Sequence, residues 1–209
     1  MADTPHASVV GNSLVSFMPG ISPAMRESVQ LALLHAQRAT DQDAANGLVT
    51  DKYAYYRNKL KFFGWDAQPP LERDERKADR RILVDYALAT INVAGEHYRN
   101  STQWALSLLK NSNLARTHFE ERSLASETFR LIPCKSTRSG YVDLVLYHQN
   151  LTREQLRSGF LYVERHSIQA RAELVHFNVN LFDSQFKAKV LKSLVTVAER
   201  EIVALQETR

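Results

Sequence analysis

The sequence predicts an α+β fold, with a mainly helical part over residues 23–125, an antiparallel sheet of about four strands over 126–182, and a long C-terminal helix over 183–206. Three observations carry this. Apolar residues recur at helical spacing from Met25 onward; after Ser126 the period changes to alternation; after Phe182 it becomes helical again. No linker separates these parts, so 1–209 is expected to form a single domain around a shared core. A chain of 209 residues with 44% hydrophobic content is long enough to bury one.

Residues 1–22 read as an extended arm that ends at the turn signal Pro19-Gly20. Ser22-Pro23 then supplies an N-cap followed by proline at the first helical position. With Met25, Val29, Ala32, Leu33 and Ala36 following at helical spacing, the first helix is expected over about 23–39. The segment TDQDAANGLVTD reads as a loop, and Thr50 or Asp51 is placed to cap a second helix that ends at Gly64. Pro69-Pro70 marks a linker, and a long helix is expected from Leu71, its first turns in solvent. The run Glu72 to Arg81 carries four acids and five bases, the composition of a solvated helix face.

Further along, Thr128–Cys134 and Tyr141–His148 flank KSTRSG and read as a β-hairpin. Residues 160–167 and 171–182 complete the strand candidates, joined either by a turn near Ile168-Gln169 or as one bent strand. Asp183 or Ser184 is expected to cap the last helix, whose stripe Phe186, Val190, Leu194, Val197 and Leu205 would cover the sheet.

Chemistry is thinly signalled. Lys and Arg number 27 against 23 Asp and Glu, a small excess with no one-sided cluster, which argues against nucleic acid. Glycine-rich phosphate loops, nucleophile elbows and metal-ligand spacings are all absent from the sequence, so neither a cofactor nor a metal is implied. Cys134 lies in an apolar strand and reads as an inert thiol; one cysteine makes no intrachain disulfide, which fits a reducing compartment. The first residues lack the basic and apolar regions of a secretory signal, so synthesis in the cytoplasm is expected, with release by a signal-independent route compatible with that.

The densest feature is KYAYYRNKLKFFGW, residues 52–65. At about 100° per residue, Tyr53, Tyr56, Leu60 and Phe63 fall within roughly 80°, the width of a buried stripe. The basic residues divide to both sides of it. Tyr55 and Phe62 lie outside the stripe and are the candidate binding residues, facing a protein partner, a second copy of the chain or a membrane surface. A non-enzymatic interaction protein, self-associating and binding a protein or a membrane surface, is therefore the leading expectation, with a bacterial toxin or virulence-type effector as one concrete form. The alternative is a small hydrolase or transferase, using His148, His166, Glu164 or Glu173 as acid and base on the sheet.

Overall fold

The computed structural model describes residues 4–71, 81–151, 159–162, 164–165, 169–194 and 196–206. Its centre is a seven-stranded sheet with helices on both faces. The strands are β1 (His6–Val10), β2 (Ser13–Phe17), β3 (Trp65–Pro70), β5 (Thr128–Arg138), β6 (Tyr141–Asn150), β8 (Gln169–Asn178) and β9 (Ile202–Leu205), in the order β3-β8-β6-β5-β2-β1-β9. All neighbours are antiparallel except β2 and β5, which run parallel. A separate two-stranded ribbon pairs β4 (Arg81–Ile82) with β7 (Glu164–Arg165).

Eight α-helices occur among the described residues: α1 (Pro23–Ala45), α2 (Lys52–Phe62), α3 (Leu83–Ile91), α4 (Glu96–Asn111), α5 (Asn113–Ser126), α6 (Val179–Gln185), α7 (Lys187–Leu194) and α8 (Ala198–Glu201). One sheet face, carrying Val15, Ile132, Leu144, Leu146, Val175 and Phe177, packs under α1, α2, α6 and α7. The opposite face, carrying Leu14, Phe129, Leu131, Val145 and Tyr147, packs under α3, α4 and α5. Covering both faces makes the central strands apolar almost throughout; Thr128 to Cys134 is buried without a break.

The mixed α/β character is as expected, but the sheet is larger and is built from more of the chain. The first strands are not an arm laid on the body. They form a hairpin about Gly11-Asn12 and enter the sheet between β5 and β9. Gly11 has φ +54°, and a Cβ there would lie 2.3 Å from Gln37 Oε1, so both backbone and space demand glycine. The Pro69-Pro70 segment, expected as a linker, is edge strand β3, where a missing N–H costs little.

Helix α1 runs six residues beyond Ala39, because Thr40 is buried and its hydroxyl bonds back to the Ala36 carbonyl at 2.8 Å; the break comes at Asn46-Gly47. The β5–β6 turn shrinks from KSTRSG to Ser139-Gly140. Residues 160–162 form a 3₁₀ turn, and β8 ends at Asn178, whose Oδ1 accepts from Leu181 N at 3.0 Å and starts α6. The expected long closing helix is instead α6, α7 and α8 followed by β9, since the β-branched Ile202 and Val203 complete the sheet beside β1. The charged run over 72–80 lies outside the described residues; the helix expected from Leu71 begins at Leu83.

Asn12 ties the hairpin to the rest of the sheet. Its Nδ2 donates to Ser126 Oγ at 2.7 Å and to Thr128 Oγ1 at 2.9 Å, and its Oδ1 accepts from Arg130 Nη1 at 2.5 Å. Asn12→Ala leaves a buried guanidinium without that acceptor, and urea denaturation is expected to show a loss of about 3 kcal/mol.

Candidate functional site: an aromatic groove between two helices

Asp51 starts α2, its Oδ1 accepting from Ala54 N at 3.0 Å. The inward stripe of the helix then meets a row of polar residues on the sheet. Ser13, Arg130, His148 and Arg171 are cross-strand partners in register on β2, β5, β6 and β8, so they share one face. Tyr56 stacks on the Arg130 guanidinium at 3.7 Å from the ring centre, and Arg171 lies 5.0 Å from the Tyr53 ring. Tyr53 is also 5.2 Å, ring to ring, from His148. Arg57 Nε donates to Glu173 Oε2 at 2.6 Å, and Arg171 Nη1 to Asp51 Oδ2 at 2.9 Å. Further along, Leu60 and Phe63 are buried in the apolar core.

This seat turns the other side of α2 outward. Phe62 is 69% exposed, the third-highest value among the exposed large apolar residues described, after Leu114 and Leu48. Its ring lies 5.8 Å from Phe63 and 5.1 Å from Phe186, which precedes α7. These rings border a cavity of about 560 Å³ between α2 and α7, completed by His35, Tyr55, Lys59 and Lys189. Tyr55 is half-buried; its hydroxyl donates to the Asp43 carboxylate, and Lys59 sits 4.9 Å above its ring. Burial first, and then the nearby Lys59 and Arg38, lower the His35 pKa, which favours the neutral form at the groove wall.

Lys59 and Lys189 line the groove, with Lys61 and Lys192 on the same two helices. Lys59 lies 3.9 Å from Asp43, whereas Lys61, Lys189 and Lys192 are exposed and form no ion pair among the described residues. Lys189 and Lys192 are three apart on α7 and so neighbour each other on its surface. Thus Tyr55 and Phe62 line one groove. Phe186 and Lys189 are the residues that sequence reasoning missed: the stripe assigned Phe186 to the sheet cover, and nothing local signals that α2 and α7 lie side by side.

Of the candidate acid-base residues, His148 and Glu173 line no common cavity among the described residues. His166 lies outside the described residues, and Glu164 belongs to β7 in the separate ribbon. His148 and Glu173 share a sheet face, but Glu173 is buried and bound by Arg57, while His148 is 1% exposed. The cavity of about 430 Å³ beside Glu173, lined by Tyr53, Arg57 and Arg171, does not include His148. Burial and the neighbouring Arg130 hold His148 well below its ordinary pKa. A larger cavity, about 710 Å³, opens between α1 and α5; on its wall Arg122 pairs with Glu201, Lys52 donates to the Ser126 carbonyl at 2.8 Å, 3.9 Å from Glu127, and Arg38 and Asp41 complete its charged lining. Among the described residues no three His, Cys, Asp or Glu side chains gather as a metal site would require. Cys134 is fully buried, and burial pushes its thiol pKa up.

No protein-family model matches the chain, and no curated protein sequence matches it. Among solved structures, the fold is similar to one described as a delta-endotoxin, with TM-score 0.44 and 9% identity over 84% of this chain and 90% of that one. It is also similar to a structure of the Evf virulence factor, with TM-score 0.34 and 12% identity, covering 90% of this chain and 82% of that one. At such low TM-scores neither likeness bears on function.

The two sides of α2 should respond differently to substitution. Phe62→Ser is expected to change unfolding free energy by less than about 0.5 kcal/mol, whereas Arg57→Gln, which strands the buried Glu173 carboxylate, is expected to cost about 2 kcal/mol in the same urea titration.

Proposed function

We propose that this is a non-enzymatic interaction protein that docks on an anionic lipid surface through the α2–α7 groove. One observation carries the reading: an exposed phenylalanine stands at the mouth of an apolar cavity flanked by Lys59 and Lys189. An aromatic ring entering the acyl boundary gains roughly 1.5–3 kcal/mol, and each lysine close to an anionic leaflet adds about 1 kcal/mol. That sum supports reversible peripheral binding. No helix among the described residues is long and apolar enough to cross a membrane, and surface docking requires none.

A bacterial toxin or virulence-type effector is a narrower form of the same proposal. Dye release separates the two, since such a toxin permeabilises the vesicle on which a peripheral protein merely docks.

Flotation with phosphatidylcholine vesicles, with and without phosphatidylserine, tests the docking. Binding is expected only with the anionic lipid, to weaken with salt, and to fall about tenfold in Phe62→Ser, the equivalent of 1.4 kcal/mol. The double variant Lys189→Glu, Lys192→Glu should lose binding further. Equal binding to neutral vesicles contradicts the anionic-lipid reading, and no vesicle binding together with Phe62-dependent dimerisation in light scattering contradicts lipid docking and favours a second copy of the chain.

A further inference from the structure

We infer that α2 is held to the sheet by an acid-sensitive latch, in which protonation of His148 between Arg130 and Arg171 releases the helix. His148 stands in register between these two arginines, on β5 and β8, and the Tyr53 ring of α2 covers it. Its Nε2 lies 3.1 Å from Asn150 Oδ1, while its Nδ1 is buried without a hydrogen-bond partner. No carboxylate contacts the imidazole among the described residues. Asp51 is the acid whose field favours its protonation, and Asp51 is bonded to Arg171. On the α1 side, Asp41 is drawn electrostatically to Arg130 and offers His148 nothing. An imidazolium here would stand between the buried Arg130 and the more exposed Arg171, beneath two tyrosine rings.

The direction follows from linkage. With α2 seated, burial first and then Arg130 keep the proton off His148; with α2 lifted, water reaches the imidazole and its pKa rises toward the ordinary 6.5, Arg130 and Arg171 remaining beside it on the sheet. The stability of the seat is therefore complete above that pH and declines as pH falls below it. For one such histidine, opening becomes more favourable by up to about 30-fold between about pH 7.5 and about pH 5. Asp51 is held below its ordinary value, so it adds to this only at lower pH. The Tyr53 and Tyr56 phenols, pushed upward by burial, act only in strong alkali.

The biological consequence rests on the lipid-docking reading. A surface potential near −30 mV concentrates protons roughly threefold, so a docked molecule experiences a lower pH than a free one. Release of α2 would then uncover Tyr56, Leu60 and Phe63 beside Phe62.

Hydrogen exchange of the full chain without lipid, at the two pH values and corrected for intrinsic rates, tests the latch. The opening constant of α2 amides is expected to rise severalfold, and by up to about 30-fold, on acidification, with α4 unchanged on the far face and the rise abolished in His148→Gln. An equal rise in His148→Gln, or α2 and α4 opening together, overturns it. Should His148→Gln not fold, the wild-type titration decides: a one-proton dependence supports the latch, and a flat or multi-proton profile overturns it. Because lipid is absent, opening without any vesicle binding leaves the latch intact and removes only the docking reading.

Discussion

The Arg130 guanidinium is fully buried, and a cation taken out of water must be met by fixed partners. Here the partners come from every element around it. Tyr56 of α2 covers its face at 3.7 Å, Asn12 of the β1–β2 turn accepts from it at 2.5 Å, and Asp41 of α1 supplies an opposing charge. Burial has moved each group accordingly: the Arg130 pKa falls, the Asp41 carboxyl rises, and the Tyr56 phenol is pushed up to about 12. One desolvated charge thereby fixes the N-terminal hairpin, two helices and the parallel β2–β5 pairing in a common arrangement.

The orientation of α2 follows. Once Tyr56 is committed to Arg130 and Tyr53 to the His148–Arg171 end of the same row, the helical period leaves Phe62 facing away from the sheet. Phe186 packs against it from the start of α7, and the lysines of both helices gather at the groove edge. The outward surface proposed to meet lipid is thus the geometric counterpart of the inward seat, and a change in the seat is transmitted to it directly.

Much of α2 was legible in the sequence, because a helical stripe is local information. Tyr53, Tyr56, Leu60 and Phe63 are all buried, and Asp51 is the cap. The sheet was less legible because its pairings are long-range. Nothing near Val9 or Leu14 says that their strands lie against β9 and β5, and Pro69-Pro70 suggests a linker until β8 is seen beside it. Arg130 and His148 have the same explanation. Each looks like the polar member of an alternating strand with a solvated face, yet helices cover both faces of this sheet, and the polar positions become a buried row. Phe62 could be marked as lying outside the stripe, but its groove needs α7, more than a hundred residues later in the chain.

The central claim is that tyrosine–guanidinium stacking seats α2 on the sheet. A double-mutant cycle in urea between Tyr56→Leu and Arg130→Met measures that coupling. A coupling energy of about 2 kcal/mol is expected for a desolvated pair of this kind; a value within about 0.3 kcal/mol of zero, with both single variants folded, would contradict it.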